Sequence, residues 1–597
     1  MAGEVEVRSQ LKVGTRGERP AVGAEGRSGS FVRILGLSWL LLFGPTLLDL
    51  CLSGPERVFG WIAPDTFYYL VYARETLAAG MFSYDGVHWS NSFHPLWMLP
   101  LVLVQAVQPY RGTAVDLYVL VVICACLQGG ALYLWARVFQ RPDGSLTSWF
   151  LALPVGLYAL LACGFTLRLT TEELRASNPW QGCEPVYGTA WSYMNGMESS
   201  MALLSFAAVA YGFCTLRPSQ NRRHALTLGA LLAALTFSRL DHCFIAAPIW
   251  AMVALRERIW TERRALYNWL YTSAAFIGPL LGYVIVNRLV FGSALPISGR
   301  LKSSFPFVGT DGFNILAQLL NDLVGGPRIA IWIIWRVLQS AVPVCFALLA
   351  PFVLLRVRLR RGAWIVSWAG RSDLHALLAA VAVGVCLLAT YNFLFVSPWA
   401  TGNWYFPAST LFVTLIFLAG VERVDRCLRA RWSPRRWQAA LSVVLQVLLF
   451  VGSVAFFFRL HRRLDYNNRY AEFYFRERDK VRGAFRGKEP RLLSMDDGIV
   501  GWVTGFQTMT ATGLGLDPEA AARYRAGALL DVAEERGYNC LTSLAYIDYA
   551  PVRAKPPRIE EWREAVKGFG DLSGRALHIA YASESLNFGI VCFGPKK

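Results

Sequence analysis

Long apolar runs alternate with short charged turns through most of this chain. At about 20 apolar residues per membrane crossing, the runs at 34–52, 115–136, 148–165, 197–216, 225–238, 243–255, 266–290, 329–355, 374–395, 404–421 and 441–458 predict about eleven crossings. One further run, 96–107, is too short to cross easily. It is broken by Pro100 and ended by Pro109, and it reads as an interfacial or re-entrant segment. That reading decides the topology. With it, Arg137 and Arg141 and the later Arg clusters at 217–223, 256–264, 356–361 and 423–436 all fall on the side of Arg27 and Arg33, as the positive-inside bias requires. Counting 96–107 as a crossing would reverse every later cluster.

The loops at 55–114, 166–196 and 291–327 are then external, and residues 1–32 read as a disordered cytoplasmic tail rather than a cleaved signal. From residue 459 the pattern changes. Residues 459–485 are charged and aromatic and suit a helix along the membrane surface. After them come a strand at 491–495, a helix at 517–536, a strand at 541–547, a helix at 559–566, and strands at 578–582 and 589–593. Residues 459–597 therefore predict an α/β extracytoplasmic domain behind a transmembrane module at 33–458. The fold class is mainly α: a polytopic membrane helical bundle with that domain at its C-terminal end.

Composition agrees. Of 597 residues, 54% are hydrophobic and only 17% charged, with mean hydropathy +0.36, against about a quarter charged in soluble domains. The net charge of +18 follows from cytoplasmic Arg and Lys. These fall in short clusters between apolar runs, not on one face, which argues against a nucleic-acid partner. The twelve cysteines are scattered. Cys540 and Cys592 fall in the exported part, where a disulfide is allowed but not dictated by spacing. No N-x-S/T sequon occurs, which leans away from a eukaryotic secretory compartment.

The stretch 64–95 leaves the first crossing as a polar, aromatic loop and carries the densest chemistry. Asp65 opens an amphipathic helical stretch ended by Gly80, where an acid is a good N-cap. A carboxylate held at the bilayer surface can also take a proton from a hydroxyl, and the two roles are compatible. Tyr68, Tyr69, His88, Asn91 and His94 continue the stretch. Glu198, in N-G-M-E-S, heads a later run, where an unpaired charge is costly. Arg239 and Asp241 interrupt two apolar runs, and mutual neutralisation is the plainer account of them. Arg300 and Lys302 are external cations suited to a lipid phosphate or to anionic headgroups. Trp404 and Tyr405 suit an aromatic belt or a sugar face. Asp496 and Asp497, followed by Gly498, read as a turn.

Taken as a set, these motifs resemble the GT-C superfamily of integral-membrane glycosyltransferases, nearest to bacterial arabinofuranosyl- and mannosyltransferase-like members. The residues that carry the likeness are D-x-F-Y-Y-x-x-x-A-R-x-x-x-x-G at 65–80, F-H-P-L-W at 93–97, the G-M-E-S acid, the R-x-D turn and L-P-x-S-x-x-x-K at 295–302. The resemblance implies an inverting transfer of a hexosyl or pentosyl group from a polyprenyl-phosphate sugar donor. The acceptor would be a glycan, lipid or protein hydroxyl on the non-cytoplasmic face of a bacterial plasma membrane, in cell-envelope glycan synthesis.

The resemblance also implies roles. Asp65 is the general base, with Glu198 and Asp241 as second acid or possible metal ligands. Arg239, Arg300 and Lys302 bind the donor phosphate. Tyr68, Tyr69, His88, Asn91, His94, Trp404 and Tyr405 bind sugar or acceptor. Many relatives carry two adjacent acids where this chain has Pro64 and Asp65, so dependence on a divalent metal stays open. A flippase for lipid-linked sugars and an inactive membrane scaffold are the competing classes.

Overall fold

The computed structural model describes residues 24–153, 194–305, 345–396, 407–431, 469–542 and 559–595, with short gaps inside these ranges. Most of the apolar runs at 148–165 and 329–355, all of 441–458, and most of the loop at 166–196 lie outside the described residues.

The chain is a mainly helical, multi-pass membrane protein. Among the described residues three helices are long and apolar enough to cross a membrane: Ala114–Phe139, Arg263–Phe291 and Asp373–Asn392. A fourth is formed if Phe31–Gly44 and Thr46–Leu52, bent by 45° with Pro45 at the break, count as one. Proline interrupts the hydrogen-bond ladder there. The first helix, α1, begins at Ala24, inside the stretch expected to be tail.

Helix α2 spans Pro64–Ala79 and α3 spans Pro95–Val107. At 13 residues, α3 is about 20 Å long, short of the roughly 30 Å hydrocarbon core. Trp97, Leu101 and Val104 are buried while Leu99, Leu103 and Val107 are exposed, so it has one apolar face turned away from the protein. The helices α4 (Ala114–Phe139), α5 (Ser199–Thr215), α6 (Arg222–Ser238), α7 (Cys243–Glu257) and α8 (Arg263–Phe291) follow. The pairs α4–α5, α5–α6 and α6–α8 pack together. The α6–α8 approach needs Gly229, since a Cβ there would sit 2.3 Å from the Thr272 carbonyl oxygen. The loop after α8 contains a short helix, α9 (Ile297–Lys302). A two-stranded ribbon, β1 (Leu355–Arg360) with β2 (Ala363–Trp368), precedes α10 (Ser372–Phe395), which packs on α7. Helix α11 spans Pro407–Arg431.

After α12 (Arg469–Ala484) comes a five-stranded sheet. Its strands are β3 (Leu492–Ser494), β4 (Thr508–Thr510), β5 (Cys540–Thr542), β6 (Leu577–Ala582) and β7 (Gly589–Phe593), in the order β4-β3-β5-β7-β6. Strand β3 is parallel to β4 and β5, and β7 is antiparallel to β5 and β6. Side chains alternate across a strand, and both faces here are buried. Leu492, Cys540, Ile590 and Cys592 join the large core shared with the membrane helices, while Leu493, Leu541, Val591 and Phe593 join a second core. Cys540 and Cys592 face each other in register and form a disulfide.

The helix expected at 517–536 is two helices, α14 (Pro518–Arg525) and α15 (Leu529–Glu535), separated by a turn through Gly527. Between β3 and β4 runs α13 (Ile499–Thr504), which docks on α2. The Phe67 and Trp502 rings meet at 5.1 Å. Arg74 donates to the Gly501 carbonyl at 3.1 Å, and the Trp502 indole to Asp116 at 3.1 Å. The sheet is thus bonded to the stretch that opens the chain.

Candidate active site

Asp65 sits at the second position of α2. Ala63 is the N-cap and Pro64 the first helical residue, the position where a missing N–H costs nothing. Asp65 is therefore not the capping side chain expected from the sequence; it lies in the first turn, where the helix dipole favours an anion. Its carboxylate takes no hydrogen bond or ion pair from a described residue. The start of α2 is held elsewhere: Ala63 N–H and Thr66 Oγ1 both donate to the Asn195 carbonyl, at 2.9 and 2.7 Å. The next residue, Gly196, has φ +85°, and a Cβ on it would lie 2.4 Å from the Thr66 methyl. Glycine at that point brings the N-G-M-E-S turn, and with it Glu198, against the start of α2.

Glu198 and Asp241 are held by one cation. Arg239 Nη1 donates to Glu198 Oε1 at 2.6 Å, and its Nε and Nη2 donate to the two Asp241 oxygens at 2.9 and 3.1 Å. The Arg239 and Glu198 side chains are 1% and 2% exposed. Burial pushes the Glu198 carboxyl up to about 7 against the pull of Arg239. Burial also raises Asp241, but Arg239 and His242 outweigh it and leave that carboxyl below its ordinary value. His94 Nε2 lies 3.5 Å from Glu198 Oε1. Burial, with Arg239 beside it, pushes the His94 imidazole down to about 3, so the ring is neutral.

The loop before α3 clamps the loop after α8. Asn91 donates to Asn287 and accepts from Ile297 N–H, each at 3.0 Å, and Ser92 Oγ accepts from Ser298 N–H at 3.1 Å. The Tyr68 and Tyr72 hydroxyls donate to the Ser92 and Ser90 carbonyls. These bonds set α9, and so Lys302, opposite α2.

The result is a cavity of about 290 Å³ lined by Asp65, Tyr68, Tyr69, His94, Glu198, Arg239, Asp241 and Lys302, with further residues from α7, α10 and the loop after β4. Eight side chains singled out in the sequence thus meet. Three others do not line it. Asn91 is spent on the clamp. His88 Nδ1 lies 2.6 Å from Asp85 Oδ2, and Asp85 also accepts from the Tyr538 hydroxyl at 3.3 Å, a joint to the sheet. Arg300 is exposed, and its carbonyl accepts from Arg525. Trp404, Tyr405, Asp496 and Asp497 lie outside the described residues. The sequence reading missed Phe244, Phe305, Tyr391, Asn392 and Leu514, which also line the cavity. Tyr391 and Asn392 had a signal: a polar pair inside the apolar α10. Leu514 had none.

Among the described residues no group of three or more His, Cys, Asp and Glu is arranged to hold a metal. The acids considered as metal ligands do not fit one, because the Arg239 guanidinium already lies between them.

No protein-family model matches this sequence, and no curated protein does. The fold is similar to that of ArnT from Cupriavidus metallidurans in a crystal structure bound to undecaprenyl phosphate. The TM-score is 0.51 at 11% identity, over 94% of this chain and 98% of that one. ArnT from the same organism in the apo state scores 0.47 at 12% identity, over 95% and 98%. AglB, the oligosaccharyltransferase of Archaeoglobus fulgidus in complex with an inhibitory peptide and a dolichol-phosphate, scores 0.36 at 13%, over 86% and 69%. The first of these likenesses shows the fold alone.

Proposed function

From that fold and the GT-C resemblance of the sequence as premise, we propose that this protein is an inverting glycosyltransferase that moves a sugar from a polyprenyl-phosphate donor to an acceptor hydroxyl at the non-cytoplasmic face of a bacterial plasma membrane. One observation carries the reading: a single cavity joins Asp65, a carboxylate with no partner among the described residues, to a cation, Lys302, beside two acids paired to Arg239. Undecaprenyl phosphate bound to ArnT supports the donor class.

The acceptor oxygen attacks the anomeric carbon while its proton passes to Asp65. The bond from that carbon to the phosphate oxygen breaks, and its electron pair stays on the phosphate. The products are the glycosylated acceptor and the polyprenyl phosphate. The leaving phosphate needs a cation more than an acid, and Lys302 supplies it, with Arg239 adding positive potential. Glu198 and Asp241 are positioning residues that hold Arg239. No step needs a divalent metal.

The N-terminus is cytoplasmic and the sheet extracytoplasmic. The Cys540–Cys592 disulfide supports this, because such bonds persist on the oxidising side of the membrane.

The test is incubation of the purified protein with radiolabelled polyprenyl-phosphate pentoses and hexoses and with envelope extracts as acceptor. Appearance of labelled acceptor and free polyprenyl phosphate supports the reading. Movement of labelled lipid across vesicles without cleavage would make it a flippase instead.

A further inference from the structure

Two neutral polar atoms in the cavity wall, unpartnered among the described residues, bear on what kind of sugar would fit. The first is on Asn392, in the last turn of α10. The residue is 6% exposed, its Nδ2 has no hydrogen-bond partner among the described residues, and it lines the cavity. Buried amides are almost always bonded, so one left open on a cavity wall is matched to whatever fills the cavity. The second is Nδ1 of His94, a buried atom also without a partner among the described residues. The other ring nitrogen faces the Glu198 carboxylate at 3.5 Å, which places the proton on Nε2 and leaves Nδ1 as an acceptor.

Several neighbouring polar groups are already committed. Ser92 Oγ accepts from Ser298, and Ser303 Oγ accepts from the Tyr391 hydroxyl at 3.2 Å. Glu198 Oε1 and both Asp241 oxygens answer Arg239, while Glu198 Oε2 is buried with no hydrogen-bond partner among the described residues. Besides its carboxylates and cations, the wall offers one open neutral donor and one open neutral acceptor. Sugar hydroxyls satisfy both, since each can donate and accept. A carboxylate on the sugar would meet the lone pair of Nδ1, and an ammonium would meet the Nδ2 hydrogens.

We propose that Asn392 and His94 are specificity-determining residues that receive the hydroxyls of a neutral donor sugar. The inference rests on the donor reading above.

The test compares two kinds of lipid on detergent-purified full-length protein, by native mass spectrometry. One is undecaprenyl phosphate. The other is a panel of undecaprenyl-phosphate sugars: neutral pentose, neutral hexose, uronic acid and amino sugar. A neutral member is expected to bind the wild type best. Asn392→Leu and His94→Leu should each weaken that member about tenfold, the effect of one hydrogen bond of about 1.4 kcal/mol, and should leave undecaprenyl phosphate within twofold. His94→Gln, which keeps an acceptor, should recover most of the loss, an outcome that simple disruption of the fold would not give. Equal loss for the sugar-free lipid, no loss for either lipid, or tighter binding of a charged sugar would overturn the inference. Binding of neither lipid by the wild type would overturn the donor reading, and the inference with it.

Discussion

Two walls of the same cavity hold acids in opposite ways. On one, Glu198 and Asp241 are locked by the Arg239 guanidinium through three hydrogen bonds. On the other, Asp65 rests on the first turn of α2 with no partner among the described residues. Both Asp241 oxygens and Glu198 Oε1 are taken by the arginine, and Glu198 Oε2 is buried beside it. A carboxylate that is oriented by its helix and otherwise open can take a proton and release it. On the proposed reading the chemistry falls to Asp65 and the geometry to the buried network, whereas the resemblance offered Glu198 and Asp241 as a second acid or metal ligands.

The largest expected effect breaks that contrast at Asp65. Asp65→Asn should lower transfer by roughly 10²–10⁴-fold, the usual value of a general base, with the melting temperature and undecaprenyl phosphate binding kept. Loss of folding in this variant would show that the acid is structural.

Next is the network. Arg239→Met leaves two buried carboxylates without their cation, and such a loss costs about 3–5 kcal/mol. Chemical denaturation should show that loss, and Arg239→Lys should restore only part of it, because an ammonium lacks the planar fork. Unchanged stability in Arg239→Met would mean that the network is not what holds this wall.

Lys302→Gln removes a charged contact to the donor phosphate, a contribution of about 1.5–3 kcal/mol. It should weaken polyprenyl phosphate by roughly ten- to a hundredfold without altering the fold. Equal binding by the variant would move the phosphate elsewhere in the cavity.

A smaller effect follows from pH. Burial pushes the His242 imidazole down to about 4, with Asp241 opposing and Arg239 assisting. The unfolded chain then binds this proton first as pH falls below about 6.5, so stability is lost from there toward 4. Glu198 acts with the opposite sign, because its raised value lets the folded protein take a proton first as pH falls through about 7. His242→Gln should therefore flatten the acid side of the melting-temperature curve relative to wild type, and an unchanged curve would rule the histidine out as its source. The smallest effect is expected from a chelator: with Arg239 between the two acids, EDTA should leave transfer unchanged, and a loss restored by magnesium or manganese would reverse the role given to the pair.

Much of the site was legible because its parts stand at the ends of apolar runs or in the polar loops between them. His94, Glu198, Arg239 and Asp241 stand where an apolar run begins or stops, Asp65 and Lys302 lie in the polar loops between runs, and helix ends on one face of a bundle are brought together by packing. The remainder had weaker signals. His88 and Asn91 lie in the same polar stretch as Asp65 and share its residue chemistry, yet one is tied to Asp85 and the other to Asn287, partners that only the folded chain supplies. Strand β4 was missed because Thr508–Thr510 is three buried residues, too few to show a period. Helix α13 is six residues with every side chain buried, so it has no polar face to reveal it. The Asp65 cap was misread because Pro64 competes for the start of the helix and wins it by its preset φ.

The most direct measurement is a density map of the protein with a non-transferable phosphonate analogue of its donor. The account predicts the phosphonate against Lys302, the sugar ring beside Asn392 and His94, and Asp65 on the face of the ring opposite the phosphonate. A phosphonate beside Asp65, or a sugar seated outside this cavity, would contradict it.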